Sequence, residues 1–176
     1  MYRVGVDLGG TNIRSGVVDD QFKIIGVGEL KTNAPRPAAE IFDDITKTVH
    51  MAVEAAGLTM DDISSVGVGT PGTVNKKTGY IEFSNNLDFQ NVPAQEMLRE
   101  RLGKPVYLEN DANCAAYGEA KAGAGAGVKD FIAITLGRGR NGPYGDCSRW
   151  RAVQLRPPRM LGALCFGHCI DCADKG

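Results

Sequence analysis

The apolar residues at the start of the chain alternate before they turn helical. Val4, Val6 and Leu8 alternate with Arg3, Gly5 and Asp7, and Ile13-Arg14-Ser15-Gly16-Val17-Val18 continues the pattern after the short link Gly9-Gly10-Thr11-Asn12. A side-chain period of two marks half-buried strands, so the pair predicts a tight antiparallel hairpin. A third strand over Lys23–Leu30 follows the turn at Asp19-Asp20-Gln21 and completes a meander. Past Pro35 and Pro37 the period changes. Ile41, Ile45, Val49, Ala52, Val53 and Ala56 fall on one face at helical spacing, with Gly57 as a stop, which predicts an amphipathic helix of about five turns.

Ile63–Gly69 reads as the next strand, and the alternation Val66-Gly67-Val68-Gly69-Thr70 predicts a central strand that another group approaches closely. Thr70-Pro71-Gly72 ends it in a turn. Asn75–Val92 reads as loop, with Lys76-Lys77-Thr78-Gly79 a hairpin candidate and Ser84-Asn85-Asn86 a polar bend. A short helix over Ala94–Leu102 leads to a strand over Pro105–Leu108. A small-residue helix over Ala112–Ala122 then breaks in Gly123-Ala124-Gly125-Ala126-Gly127, before a last strand over Lys129–Leu136. A meander followed by helix-separated strands predicts an α/β fold, a mixed sheet with flanking helices and ligands at the strand ends.

Composition narrows the partner. The 20 basic and 21 acidic side chains give no basic footprint for nucleic acid or for an acidic membrane surface, which points to a small molecule. No apolar run reaches the roughly 18 residues of a membrane span, and the N-terminus enters the alternating pattern directly instead of a signal segment, so a cytoplasmic location is expected. Five cysteines in such a compartment are free thiols or metal ligands rather than a disulfide framework. A length of 176 residues suits one domain, or one domain and part of another. The charge is unevenly spread: residues 138–176 hold seven basic side chains against three acidic ones, no glutamate, and four of the five cysteines. From Arg138 to about Met160 neither period is present, and Arg156-Pro157-Pro158-Arg159 interrupts either kind of element. This stretch reads as an irregular basic arm or as one translated out of frame.

Two segments carry candidate chemistry. Asp7-Leu8-Gly9-Gly10-Thr11 sets a carboxylate at a strand end and two glycines in the turn. Backbone there comes within hydrogen-bond reach of phosphate oxygens, Thr11 adds a hydroxyl, and Asp7 can hold Mg²⁺ through water. This is neither a P-loop, which needs GxxxxGK[ST], nor a dinucleotide fingerprint, since a strand follows. An ordinary Gly-Gly hairpin with a capping aspartate has the same residues. Glu109-Asn110-Asp111-Ala112-Asn113 stands at a strand-to-helix junction, where an acidic side chain both caps the helix and faces the strand ends. A carboxylate there can take the proton of a sugar hydroxyl attacking a phosphoryl group, with Asn110 on a neighbouring hydroxyl. Helix capping alone accounts for Asn110 or Asp111 but leaves Glu109 without a role.

Taken in order, Asp7-Leu8-Gly9-Gly10-Thr11-Asn12-Ile13-Arg14, Gly69-Thr70-Pro71-Gly72, Asn86-Leu87-Asp88-Phe89, Glu109-Asn110-Asp111-Ala112-Asn113 and Thr135-Leu136-Gly137 resemble the ROK family of sugar kinases and sugar-responsive repressors over residues 2–137. The likeness is strongest to the bacterial glucokinases. The resemblance implies the actin-like, ribonuclease H-like ATPase fold, whose two α/β domains close on ATP and sugar. It divides this chain into an N-terminal α/β domain over residues 1–118, the start of an incomplete second domain over 119–137, and the irregular tail over 138–176. It implies that Asp7 serves Mg²⁺, that Gly9, Gly10, Thr11, Asn12 and Gly137 bind ATP phosphates, and that Gly72, Asn86, Asn110 and Asp111 bind sugar, with Asp111 as the base. The implied reaction is ATP-dependent phosphorylation of a hexose at its 6-hydroxyl, glucose first, with mannose, fructose, N-acetylglucosamine and N-acetylmannosamine as alternatives. Repressors of the family carry a DNA-binding helix-turn-helix ahead of the kinase-like part, whereas here the motif starts at residue 7, so nucleic acid is not an expected partner. Intact members are often homodimers.

The tail departs from that pattern. After Thr135-Leu136-Gly137 the family continues with a threonine and a second glycine-rich phosphate loop, where this chain has Arg138-Gly139-Arg140-Asn141-Gly142-Pro143. A Glu-x-Gly-His element that contacts sugar, followed by a zinc-binding cysteine cluster, matches Cys165-Phe166-Gly167-His168, with Cys165 where the glutamate belongs. His168 is therefore a candidate ligand for sugar and for Zn²⁺, although His168-Cys169-x-x-Cys172 spacing also arises by chance. A reading-frame slip over Arg138–Cys165 accounts for the departure. A catalytically silent fragment is the alternative function, with the strand Lys129–Leu136 expected to lack its partners and present an open edge.

Overall fold

In the computed structural model, which describes residues 1–123, 125–126, 131–137 and 149–155, the N-terminal meander forms as β1 (Tyr2–Leu8), β2 (Asn12–Val18) and β3 (Ile24–Lys31). Both pairings are antiparallel. Helix α1 (Ala38–Ala55) runs 18 residues and ends at Gly57, whose φ of 69° is the left-handed geometry that glycine adopts without steric cost. Next come β4 (Ile63–Thr70), β5 (Thr73–Asn75), β6 (Tyr80–Ser84), β7 (Phe89–Val92), α2 (Ala94–Leu102), β8 (Val106–Asn110) and α3 (Asp111–Ala122), then β9 (Phe131–Gly137) and β10 (Arg149–Leu155).

Five strands build the main sheet in the order β3-β2-β1-β4-β8, and β1, β4 and β8 are parallel. The mixed sheet with flanking helices is the one the periodicity predicts. Register sorts its side chains. Val6 stands opposite Ser15 and Val68, and Val68 opposite Leu108. This row lies on the α1 face, because the buried Ser15 and Thr48 hydroxyls meet at 2.8 Å. Ile41, Phe42, Ile45 and Val49 of α1 and Leu98 of α2 close the core over it. Helix α1 sits directly on the backbone of β3: a Cβ at Gly26 or Gly28 would stand 2.3 Å from the carbonyl oxygen of Ala52 or Thr48.

The next row of partners, Arg14, Asp7, Gly69 and Glu109, faces the other way. Since β1, β4 and β8 run parallel, the Gly9-Gly10 turn, the Thr70-Pro71-Gly72 turn and the β8–α3 junction emerge at one edge of the sheet. Asp7 and Glu109 are two strands apart there, about 10 Å at the backbone.

Two segments differ from the expected pattern. Asn75–Val92, expected as loop, contains β6 and β7, which with β5 form an antiparallel sheet of three strands. These strands are short, and Asp88 and Asn91 take left-handed φ values of 56° and 50°, so the residues read as turn formers. Within the stretch from Arg138 to Met160, where no element was expected, Arg149–Leu155 forms β10. It pairs with β9 from Arg149–Gly137 to Leu155–Phe131, so β9 has a partner along its whole length. Backbone ladders do not require a one-sided apolar period, so a strand without one can still pair. Among the described residues no helix is long and apolar enough to cross a membrane.

Candidate active site

The first turn is held from below. Gly9 N–H donates to the Asn12 carbonyl at 2.9 Å, and a Cβ on Gly9 would stand 3.1 Å from that same oxygen. Thr32, fully buried, donates its N–H to the Thr11 carbonyl (2.9 Å) and its hydroxyl to the Gly9 carbonyl (2.6 Å). The carbonyl oxygens of the turn are therefore engaged inward. Among the described residues the N–H groups of Gly10 and Thr11 have no acceptor, which is the polarity an anion requires. Lys31 adds an ammonium at this turn by donating to Asn12 Oδ1 at 2.9 Å.

The second cluster is one hydrogen-bonded unit. Asn110, in extended backbone at the end of β8, caps α3 by accepting the Asn113 N–H on Oδ1 at 3.4 Å and donates Nδ2–H to the Gly72 carbonyl at 2.9 Å. Gly72 has φ 106°, and a Cβ there would stand 2.1 Å from the Phe83 carbonyl oxygen, so only glycine fits the turn that presents its carbonyl. Glu109 Oε1 accepts from the Asn110 N–H and from Asn113 Nδ2, each at 2.9 Å. Its Oε2 is ion-paired with Lys76. That hydrogen bond and the Glu109 charge hold the Lys76 ammonium above the usual lysine range, against the opposing effect of burial. Asp111, first in α3, accepts the Ala112 N–H at 2.8 Å.

Asn86, in the β6–β7 turn, stands against the first cluster: its Cβ and carbonyl oxygen lie 3.6 Å from where a Gly10 Cβ would be. Asp7, Gly9, Gly10, Thr11, Asn12, Gly72, Asn86, Asn110 and Asp111 thus gather at one edge. Gly137 ends β9, opposite Arg149. His168 and the cysteines of the tail lie outside the described residues. Thr32, Lys31 and Lys76 contact these clusters without having been singled out by the sequence; Lys76 lay in a hairpin candidate within a stretch read as loop.

Among the described residues no group of three or more His, Cys, Asp or Glu gathers as a protein-built metal cage would need. Mg²⁺ needs no such cage, since one or two carboxylates plus substrate phosphates and water complete its shell. Asp7 beside an anion-accepting turn fits that requirement.

Known proteins resemble this chain in sequence and in fold. The chain is 41% identical to the glucokinase of Streptomyces coelicolor over 169 residues, covering 90% of this chain and 51% of that one. It is 36% identical to the glucokinase of Thermotoga maritima over 140 residues, covering 79% and 43%. The structure of a ROK family glucokinase from Streptomyces griseus in complex with glucose and AMPPNP superposes with a TM-score of 0.71 at 40% identity, over 79% of this chain and 42% of that one. A ROK hexokinase from Thermus thermophilus gives 0.68 at 31% identity, covering 79% and 45%. The mixed sheet is that of the actin-like ATPase fold. The chain spans about half the length of the curated relatives it matches. With the model of the ROK family matching residues 3–142, the chain belongs to the ROK family.

Proposed function

We propose that this chain carries the sugar- and phosphate-binding half of an ATP-dependent hexose kinase that acts on the 6-hydroxyl, with glucose as the substrate. The observation that carries the reading is the joining of Asn110 to Gly72, which fixes the Glu109-Asn110-Asp111 junction at the same sheet edge as the Asp7 hairpin. Asn110 and the Gly72 turn orient the sugar. Asp111 takes the proton of the attacking hydroxyl, a role suited to a carboxylate that projects from the first turn of a helix beside the sugar. The N–H groups of Gly10 and Thr11, with the Thr11 hydroxyl and Lys31, receive phosphate oxygens. Asp7 would hold Mg²⁺ through water, and a bound ion would supply charge compensation for the transferring phosphoryl group. Residues 119–137 begin the second domain, a division supported by β9 and β10 forming a sheet of their own.

A second reading has one specific observation in its favour. The chain covers about half of its relatives' length, and a kinase of two closing domains needs both to exclude water from the transfer. On that reading the polypeptide binds sugar or phosphate without turning over. Measuring ADP release from MgATP with glucose, mannose, fructose, N-acetylglucosamine and N-acetylmannosamine, with Asp111→Asn as control, separates the two. Hexose-dependent release lost in the control supports the kinase. Absence of release in both proteins supports the silent half, and hexose-dependent release that persists in Asp111→Asn overturns Asp111 as the base.

A further inference from the structure

The three-stranded sheet is tied to the β8–α3 junction at both ends of β5. Gly72, directly before β5, accepts from Asn110 at 2.9 Å, and Lys76, directly after β5, is ion-paired with Glu109. The hairpin bearing Lys76 is itself held from behind. Gly79 has φ 74°, its carbonyl accepts the Gln95 N–H at 3.0 Å, and Gln95 Nε2 donates to the Val106 carbonyl of β8 at 2.6 Å. Lys76 is therefore presented by a braced turn and not by a loose loop.

The two partners are unequal. The Lys76 side chain keeps 60% of its exposure, whereas Glu109 keeps 17%. An ion pair between two exposed groups contributes little to stability, but removing the cation from a mostly buried carboxylate leaves a charge that must find other compensation. Glu109 has no spare contacts for that purpose: Oε1 already accepts two N–H groups, and both belong to the sugar motif. The nearest carboxylate along the chain is Asp111, two residues on, so an uncompensated Glu109 either turns outward to water, releasing Asn110 and Asn113, or repels the base.

Resting on the sugar-kinase reading, we infer that Lys76 is a positioning residue of the sugar site: by clamping Glu109 it holds Asn110 and Asn113 in the geometry that binds the hexose, and it makes the β5–β6 hairpin one wall of that site. Lys76 touches no reacting atom in this scheme and acts only through Glu109.

The test compares Lys76→Met, Lys76→Arg and the double variant Lys76→Met with Glu109→Gln. The readouts are the glucose Kd by calorimetry, the MgATP Kd, the melting temperature without ligand, and hydrogen exchange over residues 109–114. Lys76→Met is expected to weaken glucose binding by about tenfold, the size of one lost hydrogen bond to a charged group. It should leave MgATP binding near wild type, lower the melting temperature because the Glu109 charge loses its partner, and speed exchange at Asn110. Lys76→Arg restores the charge and the affinity, and the double variant recovers most of it because no buried charge remains. Glucose affinity and exchange unchanged in Lys76→Met overturn the inference, as does an equal loss of glucose and MgATP binding. If wild type binds no hexose, the kinase reading falls and the clamp is judged on exchange alone: faster exchange in Lys76→Met supports it, and unchanged exchange overturns it.

Discussion

Asn110 and Gly72 are joined by a 2.9 Å hydrogen bond from the asparagine side chain to the glycine carbonyl, across two parallel strands and 38 positions of sequence. The same side chain caps α3 through its oxygen. One residue thereby fixes the start of a helix, the shape of a turn and the place of the neighbouring Asp111. Each half of its amide has a distinct task, so the isosteric carboxylate cannot replace it: a second oxygen would face the Gly72 carbonyl.

Replacing Asn110 by alanine removes both bonds. The lost cap should cost about 1 kcal/mol of stability, and hexose binding should fall by at least about tenfold, since the turn and the junction lose their tie. Thermal unfolding and calorimetric titration read the two effects separately. Loss of stability without loss of sugar affinity would assign Asn110 to the helix cap alone.

Asp111→Asn keeps the shape and the hydrogen bond to Ala112 but cannot accept a proton. In any active form of the enzyme kcat should drop by about 10²–10⁴, the range of a general base, while the glucose Kd changes little. A kcat within a few-fold of wild type would move the base elsewhere.

Gly28→Ala tests the contact between α1 and β3. The added Cβ meets the Thr48 carbonyl oxygen at 2.3 Å and the Met51 Cβ at 2.9 Å, and neither belongs to the end of a flexible side chain. The helix must shift, at a cost of about 1–3 kcal/mol, and chemical denaturation should show it. An unchanged midpoint would mean that α1 moves freely on the sheet.

The parts of the fold that bury one face were legible. Val4, Val6 and Leu8, or Ile41, Ile45 and Val49, put the core on a period of two or of 3.6 because each element has one buried face. Helix α2 matches its expected bounds, Ala94–Leu102, and Asp7 and Asp111 stand where the motifs put them. Strands β5 to β7 were not legible because only Ile81, Ser84 and Phe89 among them are buried. Their left-handed Asp88 and Asn91 also imitate loop chemistry. Lys76 was hidden for a different reason. An ion pair between positions 76 and 109 follows from the packing of β5 beside β8, and no local pattern of charges announces it.

Acid should probe the ties of α1 before those of the core. Asp44 is 14% exposed and accepts from Lys47 at 2.8 Å as well as from Arg36, whose Nε donates to the Thr32 carbonyl at 2.7 Å. The Lys47 hydrogen bond first, then Arg36, hold its carboxyl below the ordinary aspartate range against the opposing effect of burial. A carboxyl with a lowered folded pKa binds fewer protons folded than unfolded. Its contribution is therefore fully present above the unfolded value of about 3.9 and is lost as the pH falls through the folded one. Through Arg36 the loss reaches Thr32, which supports the Gly9 and Thr11 carbonyls of the phosphate turn. Asp44→Asn should cost roughly 1–2 kcal/mol at pH 7, from weakened charge-assisted hydrogen bonds. Urea unfolding of both proteins from pH 7 to pH 3 should show that gap steady down to about pH 5 and closing below about pH 4. A gap of the same size at pH 3 would mean that the Asp44 charge does not stabilise the helix.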